Sequence, residues 1–157
     1  MGLDMYLNKK IYIGAEYAHR KVKGKIDITI GKKKVNINFD QVTNIEERVI
    51  YWRKANQIHA WFVKNCQDGV DECQESEVSR EQLQELCDAC RVVLMSKGKK
   101  NAKKVANENL PPQEGFFFGT AEIDEYYYQD IEHTMNELFK ILVKEDVEAD
   151  FYYRASW

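Results

Sequence analysis

The sequence lacks the long apolar runs and the leader-like N-terminal segment that mark membrane-spanning and exported proteins. It has only four cysteines, and without an export signal we expect them to be free thiols in a reducing compartment. Prolines are scarcer still, two in 157 residues, and both fall together at Pro111–Pro112. These absences predict a cytoplasmic protein with no membrane segment.

Sequence motifs for several common chemistries are also missing. No G-x-x-x-x-G-K-[ST] pattern accompanies the lysines of residues 97–104, so these do not form a nucleotide-binding loop of that kind. The acidic segment 67–78 lacks the oxygen-ligand register of an EF-hand. Cys87 and Cys90 have C-x2-C spacing and could join the other two cysteines in a zinc site, but both fall on the apolar stripe of a predicted helix. We therefore predict buried free thiols, no metal and no cofactor.

The composition is that of one ordinary globular domain. With 44% hydrophobic and 31% charged residues, a chain of 157 residues can bury a substantial core. The net charge of −3 argues against direct nucleic-acid binding, since nucleic-acid domains are usually basic. Aromatic residues are abundant at 12%, with nine tyrosines, and such rings are enriched at ligand sites and interfaces, including those of homodimers.

Alternating apolar and polar residues predict strands at both ends of the chain. Residues 3–7 alternate in this way, and the C-terminal segment 150–157 has the same character. Segments 25–30 and 34–39 also alternate and are separated by a glycine and lysines, which predicts a hairpin. The run Gly-Phe-Phe-Phe-Gly at 115–119 predicts a short buried strand.

Three helices are predicted between these strands. The first runs from about 43 to 65, the second begins after Ser79 with a capping-box pattern S-x-x-Q, and the third spans about 124–144. The lysine-rich segment 97–112 is expected to be a mobile connector. The pattern predicts a single α+β domain over 1–157, with three helices packed on a mainly antiparallel sheet and both termini as strands.

The stretch Ile45–Val63 is the most informative, because polar side chains are set into its apolar helical stripe. At 3.6 residues per turn, Asn56 and His59 point toward the core. Buried polar groups need partners, so this helix either organises a hydrogen-bond network or faces a site. The first alternative makes His59 a core histidine. The second makes it a ligand contact or, with an acidic residue such as Asp124 or Glu125, a general base.

Aromatic rings close to a cation supply a second candidate feature. Residues 115–119 and 152–157 concentrate rings near Arg154, and rings with an arginine often hold a nucleobase and its phosphate. The alternative is that these rings pack in the core or at an interface. Together the two features predict a ligand-binding site made by Trp52, Arg53, Asn56, His59, Phe117 and Arg154.

Several sequence blocks resemble one protein family. They are GLDMYL at 2–7, YWRKANQIHAWF at 51–62, VSREQL at 78–83, GFFFG at 115–119 and the final Ser156–Trp157. Together they resemble a family of small uncharacterised proteins from bacteriophages and prophages, over nearly the whole chain. No catalytic residues are established for that family, so none carries over. The resemblance implies a small accessory protein that acts in the host-cell cytoplasm, on host machinery or against antiphage defence.

Three hypotheses of function follow. The leading one is a non-enzymatic binding protein that acts in counter-defence by sequestering a nucleotide-type immune signal. The second is a protein–protein inhibitor of a host defence effector such as a CRISPR nuclease, which predicts a surface of Tyr and Trp instead of a concave pocket. The third is a hydrolase or nuclease that uses His59, although the sequence shows no nucleophile or metal motif to accompany it.

Overall fold

The computed structural model describes residues 2–14, 17, 19, 23–115, 118–144 and 148–157. These residues form a four-stranded antiparallel sheet, a separate two-stranded hairpin and four α-helices. The strands are β1 (Asp4–Tyr12), β2 (Ile28–Ile30), β3 (Lys33–Val35), β4 (Asn44–Arg53), β5 (Ser76–Val78) and β6 (Asp150–Ser156). The α-helices are α1 (Asn56–Cys66), α2 (Arg80–Ser96), α3 (Ala102–Asn109) and α4 (Glu125–Leu142), and Phe39–Gln41 forms one turn of 3-10 helix.

The first strand lies inside the four-stranded sheet, whose order is β4-β1-β6-β5. All three pairings are antiparallel. Asp4 of β1 pairs with Arg53 of β4 on one side and with Ser156 of β6 on the other. The two terminal segments are therefore neighbouring strands, which confirms the prediction that both termini are strands of an antiparallel sheet.

The core lies between one face of this sheet and the helices. Met5 and Leu7 of β1, and Leu3 directly before it, are buried and alternate with side chains that keep some exposure, as the two-residue period of a strand requires. Each helix adds an apolar stripe to the same cluster; that of α2 consists of Leu83, Leu86, Cys87, Cys90 and Val93. Burying one such aliphatic side chain contributes roughly 1.5–3 kcal/mol, so this layer is the main source of stability.

The predicted helix over 43–65 is wrong in its first half. Residues Asn44–Arg53 form strand β4, and only Asn56–Cys66 is helical. The chain turns between them at Lys54, whose φ of 60° lies in the left-handed region and whose N–H donates to the Leu3 carbonyl at 2.8 Å. The run Val-Ile-Tyr-Trp at 49–52 is β-branched and aromatic, which suits a pleated, half-buried surface.

The segment 97–112 also differs from its predicted character as a connector, because it contains helix α3. Ala106 and Leu110 are buried in the core cluster and anchor this short helix. The Leu110 carbonyl also accepts a hydrogen bond from the Tyr127 hydroxyl at 2.8 Å. These contacts attach to the core a segment that is otherwise rich in lysine and asparagine.

Smaller differences concern three other segments. The acidic segment 67–78 ends in strand β5, which pairs with β6. The hairpin of β2 and β3 is confirmed but is shorter than predicted and forms its own sheet. Of the strand predicted at 115–119, residues 116 and 117 lie outside the described residues. Phe118 lies in a turn, and its N–H donates to the Gly115 carbonyl at 3.1 Å.

The starts of the two longest helices agree with prediction. The Ser79 N–H donates to Gln82 Oε1 at 2.9 Å, and the Gln82 N–H donates to Ser79 Oγ at 3.1 Å, which completes the capping box of α2. The carboxylate of Asp124 caps α4 by accepting a hydrogen bond from the Tyr127 N–H at 2.9 Å. No helix in the described part of the chain has the length and apolar character needed to cross a membrane.

Candidate functional site on the open face of the sheet

The predicted site residue Asn56 is buried and holds the segment 113–120 onto the fold. Its Nδ2 donates to the carbonyls of Phe118 and Thr120 at 3.0 and 2.9 Å. Its Oδ1 accepts a hydrogen bond from the Gln113 N–H at 2.9 Å. These three bonds engage both ends of the amide, so Asn56 has a structural role that needs no ligand.

His59 is also buried, and both of its ring nitrogens have partners. Nδ1 lies 2.8 Å from the Tyr153 hydroxyl, and Nε2 lies 2.9 Å from Asp71 Oδ2. The other Asp71 oxygen accepts a hydrogen bond from Trp157 Nε1 at 3.2 Å. His59 and Tyr153 are both 0% exposed, and only Asp71 and Trp157 at the end of this chain of side chains reach solvent, so the imidazole is not within reach of a substrate as a general base must be. The geometry is that of the core histidine, the first of the two alternatives.

The remaining predicted site residues fall in three places. Trp52 is buried, and its Nε1 donates to Thr134 Oγ1 of α4 at 2.8 Å. Arg53 and Arg154 are exposed on the face of the sheet opposite the helices. Phe117 lies outside the described residues. The structure therefore brings together the two arginines on one face, but does not bring the described members of the set into one pocket.

The four cysteines are free, and burial makes two of them poor nucleophiles. Burial raises the pKa of Cys66 to about 12 and raises the pKa of Cys90 well above its usual value. Both thiols therefore stay protonated at neutral pH, whereas metal binding and nucleophilic attack need the thiolate. Across the residues that the structure describes, no group of three or more His, Cys, Asp and Glu side chains is placed to hold a metal ion.

Two cavities were considered as ligand sites. The larger, about 700 Å³, lies between the sheet and the C-terminal half of α4, and Phe151 is the one ring in its described lining. The smaller, about 270 Å³, contains Arg53 and Asn56. Its lining has more carboxylates than cations, which disfavours a phosphate; the carboxylates are Glu122, Asp124 and Asp130, and the cations are Arg53 and Lys54. Neither cavity offers several rings beside uncompensated cations.

Rings and cations meet instead on the side of the sheet turned away from the helices, which we call the open face. Every residue of the open face retains solvent exposure, and among the described residues that form it none is aliphatic. Its members are Asp4, Tyr6, Asn8, Lys10 and Tyr12 of β1, Asn44, Glu46, Arg48, Tyr51 and Arg53 of β4, Asp150, Tyr152, Arg154 and Ser156 of β6, and Glu77 of β5, which is opposite Tyr152.

Tyr6 lies at the centre of the open face and is surrounded by a ring and two arginines. Its ring centroid is 5.6 Å from that of Tyr51, and the Arg48 guanidinium carbon lies 4.5 Å from the Tyr6 centroid. Arg154 is opposite Tyr6 in the register of β1 and β6. The Tyr51 hydroxyl donates to Asp4 Oδ1, a bond that raises the pKa of Tyr51. The ring of Tyr51 is thereby held in place beside Tyr6.

A second ring with its own cation lies one step further along the sheet. Lys10 Nζ is 4.2 Å from the Tyr152 centroid and forms an ion pair with Glu75 at 2.6 Å, and this hydrogen bond raises the pKa of Lys10. Arg154 is the residue opposite Tyr6, and Tyr152 lies two residues before Arg154, so Tyr152 is a diagonal neighbour of Tyr6. Such diagonal neighbours are about 7–8 Å apart across two strands. The open face thus carries two ring–cation pairs in adjacent positions.

Charge is divided between the two halves of the open face. The half that contains Tyr6 carries three arginines and one carboxylate, namely Arg48, Arg53, Arg154 and Asp4. The other half carries Lys10 among the carboxylates of Glu46, Glu77 and Asp150, and Glu75, just before β5, forms the ion pair with Lys10. An anionic group is therefore favoured at the first half and disfavoured at the second.

Sequence reasoning found Arg53 and Arg154 of this face but not Arg48 or most of its rings. The alternation in β1 and β6 places Tyr6 and Tyr152 on the same side as Arg154, and this signal was available. Tyr51 and Arg48 could not be assigned to a face because their segment was predicted to be helical. Comparisons with protein-family models, with curated proteins and with solved structures find no match to this chain. The resemblance to phage proteins therefore stays a prediction.

Proposed function

We propose that this chain is a non-enzymatic binding protein whose open face takes a ligand with a nucleobase and a phosphate. The observation that carries the proposal is the clustering of Tyr6, Tyr51 and Tyr152 with Arg48 and Arg154 on one exposed surface. Tyrosine rings stack on bases, and an arginine fork pairs with phosphate oxygens. The counter-defence setting, sequestration of a nucleotide-type immune signal in a host cell, comes from the sequence resemblance and selects which nucleotides to test first.

Catalysis is not part of the proposal. The histidine considered as a general base, His59, is buried with both nitrogens bonded. Asp124 and Glu125 were the two carboxylates suggested as partners of His59. Asp124 caps α4, and Glu125 forms an ion pair with Lys97 at 2.8 Å. A general base must lie within reach of the proton it removes, and these three groups serve the fold elsewhere.

A second candidate function is inhibition of a host defence protein such as a CRISPR nuclease. One observation favours it: the rings and arginines lie on a sheet face and not in a concave pocket, and Tyr and Arg are enriched among interface hot spots. The composition of the open face weighs against it, because interface cores are depleted of charged side chains and this face has charge throughout. Nucleotide binding therefore remains the leading proposal.

The experiment is calorimetric titration with mononucleotides and with linear and cyclic dinucleotides. Arg154→Ala and Tyr6→Ala should each weaken binding by about tenfold or more, since each removes a charged or stacking contact. Arg91→Ala and Tyr126→Ala, at exposed positions of α2 and α4, are the matched controls and should bind like the parent chain.

Two results would overturn the proposal: no nucleotide in the panel binds, or binding is unchanged in both open-face variants. A complex with a purified defence effector that forms in gel filtration and is lost in Tyr6→Ala would support the second candidate. Because the controls replace the same residue types, a loss seen in all four variants would indicate a general effect on the protein and not a site.

A further inference from the structure

The open face has two ring–cation pairs, and two such pairs can contact a ligand longer than one nucleotide. We infer that the ligand is a single-stranded nucleic acid laid across β4, β1 and β6, with neighbouring bases on Tyr6 and Tyr152 and backbone phosphates on Arg48 and Arg154. This inference rests on the proposed function, because it names the class of nucleotide ligand that the same surface takes.

The spacing of the two rings fits neighbouring bases. Tyr6 and Tyr152 occupy diagonal positions on adjacent strands, about 7–8 Å apart. Each ring has a cation near its centroid, Arg48 at 4.5 Å and Lys10 at 4.2 Å. The two rings supply two stacking positions, while the phosphates are held at the Tyr6 half, where the arginines lie; stacking accepts any base because every base has an aromatic face.

The open face is a sheet surface and not a cavity, which favours a strand over a single nucleotide. A small ligand is held tightly when a concave site buries most of its surface. The cavity of about 700 Å³ has more cations than carboxylates but only one ring in its described lining, and the cavity of about 270 Å³ has more carboxylates than cations. On an open sheet, affinity has to come from several weak contacts made in succession. Antiparallel sheets with exposed aromatic rings bind single-stranded RNA in this way, by stacking two or three bases.

The charge pattern limits how many nucleotides make contact. The chain as a whole carries −3, but a strand meets the local surface, where Arg48, Arg53 and Arg154 oppose one carboxylate. Beyond Tyr152 the surface becomes acidic, and the Lys10 ammonium is paired with Glu75 at 2.6 Å. Phosphates are attracted to the first half and repelled at the second. The footprint is therefore roughly two or three nucleotides.

The test is fluorescence anisotropy with end-labelled oligouridylates and oligothymidylates of one, two, four and eight nucleotides. Affinity should rise from one nucleotide to four and then level off. Tyr6→Ala and Tyr152→Ala should each lower the affinity for the four-nucleotide ligand roughly 5- to 150-fold. Tyr6→Phe keeps the ring and should restore binding, which separates stacking from misfolding. Tyr126→Ala on α4 should have no effect.

Salt dependence supplies an independent readout of the phosphate contacts. For single strands the slope of log K against log salt changes by about 0.7 for each phosphate neutralised, so Arg48→Ala should lower the slope by about that amount. Arg91→Ala, which replaces an exposed arginine of α2, should leave the slope unchanged.

The outcomes separate the inference from the proposed function. A mononucleotide or cyclic dinucleotide could bind as tightly as the four-nucleotide strand, with an affinity that Tyr152→Ala leaves unchanged. That result would overturn the inference of a single-stranded ligand and leave the proposed nucleotide function standing. If neither nucleotides nor oligonucleotides bind, both fall. If a protein partner is captured through Tyr6 and neither nucleotides nor oligonucleotides bind, both fall and the inhibitor function replaces them.

Discussion

Replacing Asn56 with alanine tests the claim that this residue supports the fold and not a ligand. The change removes three hydrogen bonds, two donated to the Phe118 and Thr120 carbonyls and one accepted from Gln113, all at 3.0 Å or less. Asn56 is buried, and all three partners are backbone groups of one segment. Alanine cannot replace any of these bonds, so the segment loses its attachment to the start of α1.

The expected cost follows from the number of bonds. Each hydrogen bond contributes about 0.5–1.5 kcal/mol net to stability. A part-buried backbone group that loses its hydrogen-bond partner also costs the free energy of its lost solvation. The free energy of unfolding should therefore fall by about 2–4 kcal/mol, a large share of the roughly 5–15 kcal/mol typical of a domain. For a chain of this size the melting temperature should drop by roughly 5–15 °C.

The assay is urea unfolding followed by circular dichroism, with the midpoint compared at unchanged slope. Asn107→Ala is the matched control, because Asn107 is exposed on α3 and its amide donates only to the Lys103 carbonyl of the same helix turn. The control should stay within about 0.5 kcal/mol of the parent chain. An Asn56→Ala protein that is equally stable, or one that loses nucleotide affinity while keeping its stability, would refute the structural role.

Two further predictions concern buried polar groups. Tyr153→Phe removes the hydroxyl 2.8 Å from His59 Nδ1 and leaves that buried nitrogen unpaired, so we expect a loss of about 1–3 kcal/mol in urea unfolding; an unchanged midpoint would contradict this. Asp130→Asn should stabilise the protein at neutral pH, because burial raises the pKa of Asp130 in the folded state. Stability from this group is present below the usual Asp pKa and is lost as pH rises through the raised value. The advantage of Asn should therefore be clear at pH 7 and shrink near pH 3, and an advantage independent of pH would show that charge is not its cause.

The terminal strands and the two longest helices could be predicted because local signals and tertiary structure agree there. In β1 the buried residues alternate without interruption from Leu3 to Leu7, so a two-residue period is visible. The start of α2 is specified by Ser79 and Gln82, whose capping box depends only on residues three apart. Such features need no knowledge of distant parts of the chain.

The segment before α1 could not be predicted, and a bulge explains why. The register of β1 and β4 shifts between Leu7 and Asn8, so that Val49 is an extra residue and the alternation of β4 changes phase there. The strand period is thereby hidden, while apolar residues spaced three and four apart suggest a helix. The boundary itself has no glycine or proline, since Lys54 adopts the left-handed turn and Ala55 gives α1 no side-chain cap.

The same bulge decided how much of the candidate site could be predicted. The burial of Asn56 and His59 was anticipated, and the hydrogen-bond network is one of the two alternatives that the pattern allowed. The partners could not be named, because Asp71 and Tyr153 are distant in sequence and are brought together by the fold. The open face was missed because the outward side of β4 is defined only once its pairing with β1 is known.

The pairing of β1 with β6 has a consequence for how the protein is made. Strand β1 has two neighbours in the sheet, and the second of them, β6, leaves the ribosome about 150 residues after β1, since Asp4 pairs with Ser156. Until then Leu3, Met5 and Leu7 have a partner strand on one side only, and their apolar face and open edge are available to chaperones or to other nascent chains. Such long-range pairing also slows folding, because a large loop must close before the contact forms. The emergence of β6, and not synthesis of the early segments, thus sets the moment at which this sheet can close.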